Sequence, residues 1–520
     1  MSNRFSDALF QLIRSLQKAE KRNFKLYIKR SSSKQDLKII RLFDALDKLQ
    51  EYDEKQLLKK LPGTKKPQLS NLKAHLYKEV MASLRLLKIS ESIDLQLHEQ
   101  LDYARILYNR GLYLQSLKVL EKAKEMALSY NQDSFLIQVI SLEKKIETLH
   151  ITRSINNRPG HLINEALEIN ERRTNITNLS NLALKMYSWY VKNGHARNVE
   201  DEKRVKRYFD ENLPANAWEF PGFYERLYLF QSLCWYTFIC QDFLMYYRYA
   251  QNWILLFQKN EVMINVEPGH YIKGLHNLLN AHFVLRNYRQ FEKTLVFFEQ
   301  FASSEVVNLH ENFKVQTFTY LYTAKVNQHF MHGTFKEGLK LIPHIEQKLQ
   351  EYELYLDKHR VLVFNYKIAT LYFGSGDYNT CIDYLHRIMN ANVDLRYDIQ
   401  CYARLLHLMC HYELDNFDII DPLIKSVNRF MKKMETLTVM DEEIFKFLRT
   451  SFSTDKRKRK ERLEKFLQRI HQLQKNRFET RAFAYLDIIS WVESKVYEKS
   501  MSEIIHGKFL KSRRKVDGMM

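Results

Sequence analysis

Three stretches far apart in this chain share one pattern of apolar and small positions. GLYLQSLKVLEKA (111–123), GTFKEGLKLIPHI (333–345) and GDYNTCIDYLHRI (376–388) each carry a glycine, an aromatic two residues on, a small residue at the fifth step and apolar residues at the sixth and ninth. The pattern has a mechanical reading. Two antiparallel helices pack closely where small residues let their backbones approach, a glycine makes the sharp turn, and the aromatic plugs the base of the pair. In the first copy Ala104 precedes the turn, and Gly111, Tyr113, Ser116, Leu117, Leu120 and Ala123 follow. In the last, Ala369 precedes Gly376, Tyr378, Cys381, Ile382, Leu385 and Ile388. The middle copy has Gly333, Phe335, Gly338, Leu339 and Ile342, with Val326 at the earlier position.

Looser copies fill the intervals: QDFLMYYRYAQNW at 241–253, RNYRQFEKTLVFF at 286–298 and DNFDIIDPLIKSV at 415–427. On these residues the chain resembles the tetratricopeptide repeat, a helix–turn–helix unit that stacks into a solenoid. The aromatics Phe243, Tyr288, Phe335, Tyr378 and Phe417 are 45, 47, 43 and 39 residues apart, against a period of about 34 in that family. The resemblance is therefore to a long-helix, divergent version over about 93–436. The whole chain is also similar to uncharacterised bacterial proteins with such repeats. The resemblance implies an all-α, right-handed solenoid of antiparallel helix pairs whose groove holds a protein or peptide segment.

Three sectors follow: a basic helical module at 1–92, the array at 93–436, and basic helices and a tail at 437–520. In the first, breaks fall at SSS (31–33) and LPGTKKP (61–67). Leu72, Leu76, Val80, Leu84 and Leu87 then make one apolar stripe, which predicts a helix from Pro67 or Ser70 to Leu87. Within the array, NGHARN (193–198) and NLPANAWEFPG (212–222) read as loops.

Composition agrees. Of 520 residues, 45% are hydrophobic and 27% charged, a globular balance. The 13 glycines and 8 prolines make about 4% of the chain where roughly 12% is usual, too few turn-formers for a sandwich or barrel. About two dozen helices are expected. YLFQSLCWYTFICQDFLMYYRYA is broken by Gln231, Gln241, Asp242 and Arg248, short of a membrane span, and reads as two buried helices. The opening MSNRFSDALFQLIRSL has no continuous apolar core and does not read as a secretory signal. Five cysteines without a C-x-x-C pair suit a reducing, cytoplasmic setting.

The net charge of +20 is localised. Residues 1–90 carry 21 Lys/Arg against 9 Asp/Glu, and 449–520 carry 19 against 9, whereas the middle carries 41 against 43. The run Lys456, Arg457, Lys458, Arg459 and Lys460 opposes the dipole of the helix it opens or precedes. It is the candidate contact for an anionic partner, nucleic acid or acidic protein.

Catalytic signatures are scarce. LPGTKK lacks the second glycine and the Ser/Thr of a phosphate loop, GSGD (374–377) is a hairpin turn, and neither H-E-x-x-H nor G-x-S-x-G occurs. His407 and His411 share a helical face beside Cys410, but zinc needs a third ligand that spacing does not identify. No metal and no cofactor are expected. His270, His276 and His282, six apart, rotate around their helix and are not expected to form a site. Tyr246, Tyr247, Tyr249 and Trp253 are read chiefly as core, with a peptide groove as the alternative. The expected function is a non-enzymatic, cytoplasmic protein- or peptide-binding scaffold. The alternative is a nucleic-acid-linked regulator with a basic terminal module and a solenoid sensor.

Overall fold

Seven helix ends in this protein close in the same way. The residue just past the last helical turn is left-handed: Gly111, Asn131, Gln241, Arg286, Gly333, Gly376 and Asp415 have φ between 52° and 89°. The next N–H then reaches back five residues to a carbonyl: Leu112 to Leu107, Gln132 to Ala127, Asp242 to Thr237, Asn287 to His282, Thr334 to His329, Asp377 to Tyr372 and Asn416 to His411, all at 2.7–3.1 Å. This is the Schellman closure, which satisfies carbonyls that a helix end otherwise leaves unpaired. In six of the seven the linking residue has φ from −95° to −78° and ψ from 57° to 80°. Directly after it an aromatic opens the next helix: Tyr113, Phe243, Tyr288, Phe335, Tyr378 and Phe417. In two copies the linker caps that helix as well, Asp242 accepting from the Met245 N–H and Asp377 from the Thr380 N–H, both at 3.1 Å.

The computed structural model describes residues 7–30, 34–150, 157–391, 396–434, 437–450, 456–479 and 485–517. Among them are 27 α-helices, 3-10 turns at 89–91 and 477–479, and no strand. The chain divides into two compact units, residues 1–169 and 170–520.

In the first unit, Lys66–Lys88 buries Leu69, Leu76 and Val80 against the helices before it, close to the helix the apolar stripe predicts. Ile93–Asn109 packs on Tyr113–Ser129. Ala104 and Ser116 are fully buried where they meet, and the Ser116 hydroxyl donates to the Ala104 carbonyl at 2.8 Å. The small residues sit where two backbones approach.

In the second unit the helices come in pairs. Phe223–Ile239 is followed by Phe243–Lys259, Pro268–Val284 by Tyr288–Ala302, Lys358–Ser375 by Tyr378–Met389, and Tyr397–Glu413 by Phe417–Lys433. The first two of these are the predicted buried helices of the apolar window. Residues 194–198 and 211–222 lie outside helices, as their composition predicts. Glu311–His332 also has a partner, but one that stops at Leu339 and restarts at Ile342. Pro343 is the cause: it has no N–H to give the Leu339 carbonyl. First helices of successive pairs pack side by side, Pro268–Val284 on Glu311–His332, that on Lys358–Ser375, and that on Tyr397–Glu413. The last helix, Met501–Asp517, packs on Glu311–His332, Lys358–Ser375 and Tyr288–Ala302.

Candidate functional site

Polar side chains link the first helices across their contacts. Gln231 meets His270 Nδ1 at 2.7 Å, Gln316 Nε2 donates to the Gly269 carbonyl at 3.0 Å, and Lys367 Nζ donates to Asn327 Oδ1 at 2.5 Å. These links mark one side of the row, and cations gather along it.

Lys273 is central. Its ammonium lies 5.7 Å from the centre of the Trp235 ring and 5.0 Å from that of Tyr320, within cation–π range. Arg360 approaches Tyr320 at 5.9 Å. Tyr320 in turn stacks on His276, centroids 4.2 Å apart and planes 17° from parallel. Burial alone would raise the Tyr320 phenol. The charge and hydrogen bonds of Lys273 and Arg360 outweigh it and bring the pKa below the ordinary tyrosine value. His276 is driven well below its usual range, first by burial and then by Lys273, Lys367 and Arg360. It is therefore neutral at physiological pH, and the local field is positive.

These groups are half-buried: enclosed by protein on most sides while still touching solvent, as in a recess. Its open part, about 360 Å³, is lined by Trp235, Trp253, His270, Lys273 and Gln316, and by Glu267, whose carboxylate accepts from the Tyr224 hydroxyl at 2.8 Å. Trp253 brings a buried indole N–H that finds no acceptor. Arg360 has a carboxylate near it, Asp357 at 3.5 Å and well exposed. No carboxylate pairs with Lys273 or Lys367 among the described residues. Such a recess offers cationic donors and flat aromatic faces to an acidic ligand.

Of the residues singled out in the sequence, Trp253, His270 and His276 reach this recess and the others fall elsewhere. Ala104, Gly111, Tyr113, Gly333, Phe335, Ala369, Gly376 and Tyr378 build turns and helix contacts. Tyr246 and Trp253 are core residues, with Tyr247 and Tyr249 packed against the same core. The helix Lys456–Leu473 begins at the basic run. The side chains of Lys456, Arg457, Lys458 and Arg459 lie outside the described residues, and Lys460 is exposed. His407 Nε2 meets Nε2 of both His386 and His411 at 3.2 Å. Burial, then His411, His386 and Arg404, push its pKa down to about 4. Cys410 turns away into the core, its sulfur 3.4 Å from that of Cys381. Among the described residues no group of three or more His, Cys, Asp or Glu is arranged to hold a metal ion, and no helix is long and apolar enough to cross a membrane.

Sequence reasoning missed Lys273, Tyr320, Arg360 and Lys367. They stand on three helices that follow one another at intervals of more than 40 residues, and no local motif joins them. No protein-family model, curated protein or solved structure matches the chain.

Proposed function

We propose that the chain is a non-enzymatic cytoplasmic scaffold, an α-solenoid of antiparallel helix pairs of the tetratricopeptide type with a right-handed superhelix. Its row of first helices holds an acidic stretch of a protein or peptide. The observation that carries this reading is the recess of Lys273 and Arg360 set among Trp235 and Tyr320. The recurrent Schellman turn supports the repeat, because each pair re-presents the same face of its first helix to the next. Aromatic and cationic anchors of this kind carry most of the energy of binding surfaces. Selecting from a displayed random-peptide library on the purified chain tests the reading. Acidic peptides with micromolar affinity are expected, weakened at least tenfold in a Lys273→Gln/Arg360→Gln double variant. Selected peptides without acidic residues, or ones indifferent to the double variant, would refute it.

One observation favours the nucleic-acid reading as a second. On the helix Lys18–Lys29, Lys18, Arg22 and Lys29 are exposed on one side without a carboxylate partner among the described residues, whereas Lys21 and Lys25 pair with Asp47 and Asp44. Charge-neutral variants of those three residues should lower retention on nucleic acid and flatten its salt dependence. Unchanged retention would dispose of it.

A further inference from the structure

A separate cavity of about 160 Å³ lies among the helices Glu311–His332, Lys358–Ser375 and Met501–Asp517. It is smaller than the roughly 300–1,000 Å³ of sites for drug-sized molecules, and about five times a water molecule's share of liquid volume. Lys358–Ser375 supplies one wall with Val363 and Lys367, and Phe330 and Phe335 a second. The chain from Leu486 to Ile505 closes it. The lining is mainly apolar, yet three cations reach it.

Their charges do not balance. Arg396 is matched by Asp398, with two contacts at 2.8 Å in a fork that suits a carboxylate. Arg286 has Asp487 at 3.4 Å. Among the described residues Lys367 has only the neutral amide of Asn327, and the face of Phe330 5.5 Å away. Among them one positive charge is left over. Burial pushes the Lys367 ammonium down to about 8, so at pH 7 it is charged in about nine molecules of ten. A half-buried charge without a counter-ion is costly.

We propose that this cavity binds a small monocarboxylate with a short apolar body, its carboxylate on Lys367 and its body among Phe330, Phe335, Val363 and Ile505. One negative charge cancels the surplus. A phosphate dianion would reverse it and set an unpaired anion against the aromatic wall, and a neutral molecule would leave it standing. Because Met501 and Ile505 form part of the enclosure, the ligand also braces the last helix.

Thermal melts of the full chain test this, with isobutyrate and isovalerate as probes and with isobutyramide, isovaleramide and inorganic phosphate as comparators. The carboxylates should raise Tm with the logarithmic concentration dependence of a ligand that binds only the folded state, and should slow hydrogen exchange in residues 501–509. The amides and phosphate should do neither. Lys367→Met should lose the response at least tenfold in apparent affinity. Ile399→Phe, which fills the cavity and keeps the lysine, should lose it as well, and decides the matter if Lys367→Met does not fold. No rise with either carboxylate, an equal rise with the amides, or a response that survives both variants overturns the proposal. A Lys367-dependent response to phosphate alone overturns the assignment to carboxylates. None of these outcomes depends on what occupies the recess around Lys273.

Discussion

His332 stacks on Phe509, ring centroids 4.2 Å apart at 28°. The contact fastens the last helix to the turn at Gly333. His506 Nδ1 lies 3.0 Å from the His332 carbonyl, and the Ser502 hydroxyl donates to the Gly333 carbonyl. Gly333 thus serves both its own helix pair and the end of the chain.

Three glycines therefore respond differently to the same substitution. Gly111, Gly333 and Gly376 are all left-handed, so alanine costs each roughly 1–2 kcal/mol of backbone strain. At Gly111 and Gly376 a Cβ meets nothing within 4 Å, but at Gly333 it falls 2.6 Å from the Ser502 carbonyl oxygen and 2.9 Å from the His506 nitrogen. Both atoms are backbone of the last helix, which cannot yield cheaply, so Gly333→Ala should cost about 1–3 kcal/mol more than the other two. Denaturant melts of the three variants check this, and equal losses would mean the last helix does not sit on that turn.

The reverse change should help at Asp415. It holds the same left-handed conformation at φ 56° and its side chain is exposed. Asp415→Gly should stabilise by about 0.5–1 kcal/mol, measured by the same melts. A loss of stability would show that the aspartate makes a contact worth more than the strain it bears.

Why three turns were legible in the sequence and three only dimly follows from what holds each one. Where glycine supplies the left-handed residue, the requirement is local, and the aromatic two places on repeats with it. Gln241 and Arg286 take the same conformation against their preference because partners distant in sequence hold them: Gln241 donates to the Ala196 carbonyl at 3.0 Å, and Arg286 faces Asp487. No local pattern encodes such support. The recess was illegible for the same reason. The six-residue spacing of His270, His276 and His282 gives them different partners: His270 meets Gln231, His276 stacks on Tyr320, and His282 is buried beside Tyr247, yet His270 and Lys273 line one recess. What it missed is that His276 reaches a basic recess with members on other helices.

Acid should unfold this protein through its histidines. Burial pushes His282 down to about 4, and burial followed by the Arg396 guanidinium brings His359 to about 4, as for His407. Unfolded, each takes up a proton as pH falls below about 6.5, while the folded groups stay neutral until about 4. The unfolded state binds more protons across that window, so stability is full above pH 6.5 and declines as pH drops towards 4. His282, whose buried Nδ1 has no hydrogen-bond partner among the described residues, is the cleanest probe. In His282→Leu the loss between pH 7 and 4.5 should shrink by roughly 1–3 kcal/mol. An unchanged slope in melts across that range would place the acid sensitivity elsewhere.

The account's central claim is that the row of first helices is a binding face for an acidic partner. Site-specific photo-crosslinking in native cells tests it most directly, with a benzophenone residue in place of Tyr320, and in separate variants in place of Leu244 or Val296. Those two are exposed, at 55% and 52%, on second helices of their pairs. The account predicts an adduct at position 320 that maps by mass spectrometry to an acidic segment and is depleted by Lys273→Gln/Arg360→Gln, with none at 244 or 296. Equal adducts at all three positions, or an adduct at 320 indifferent to the loss of both cations, would contradict it.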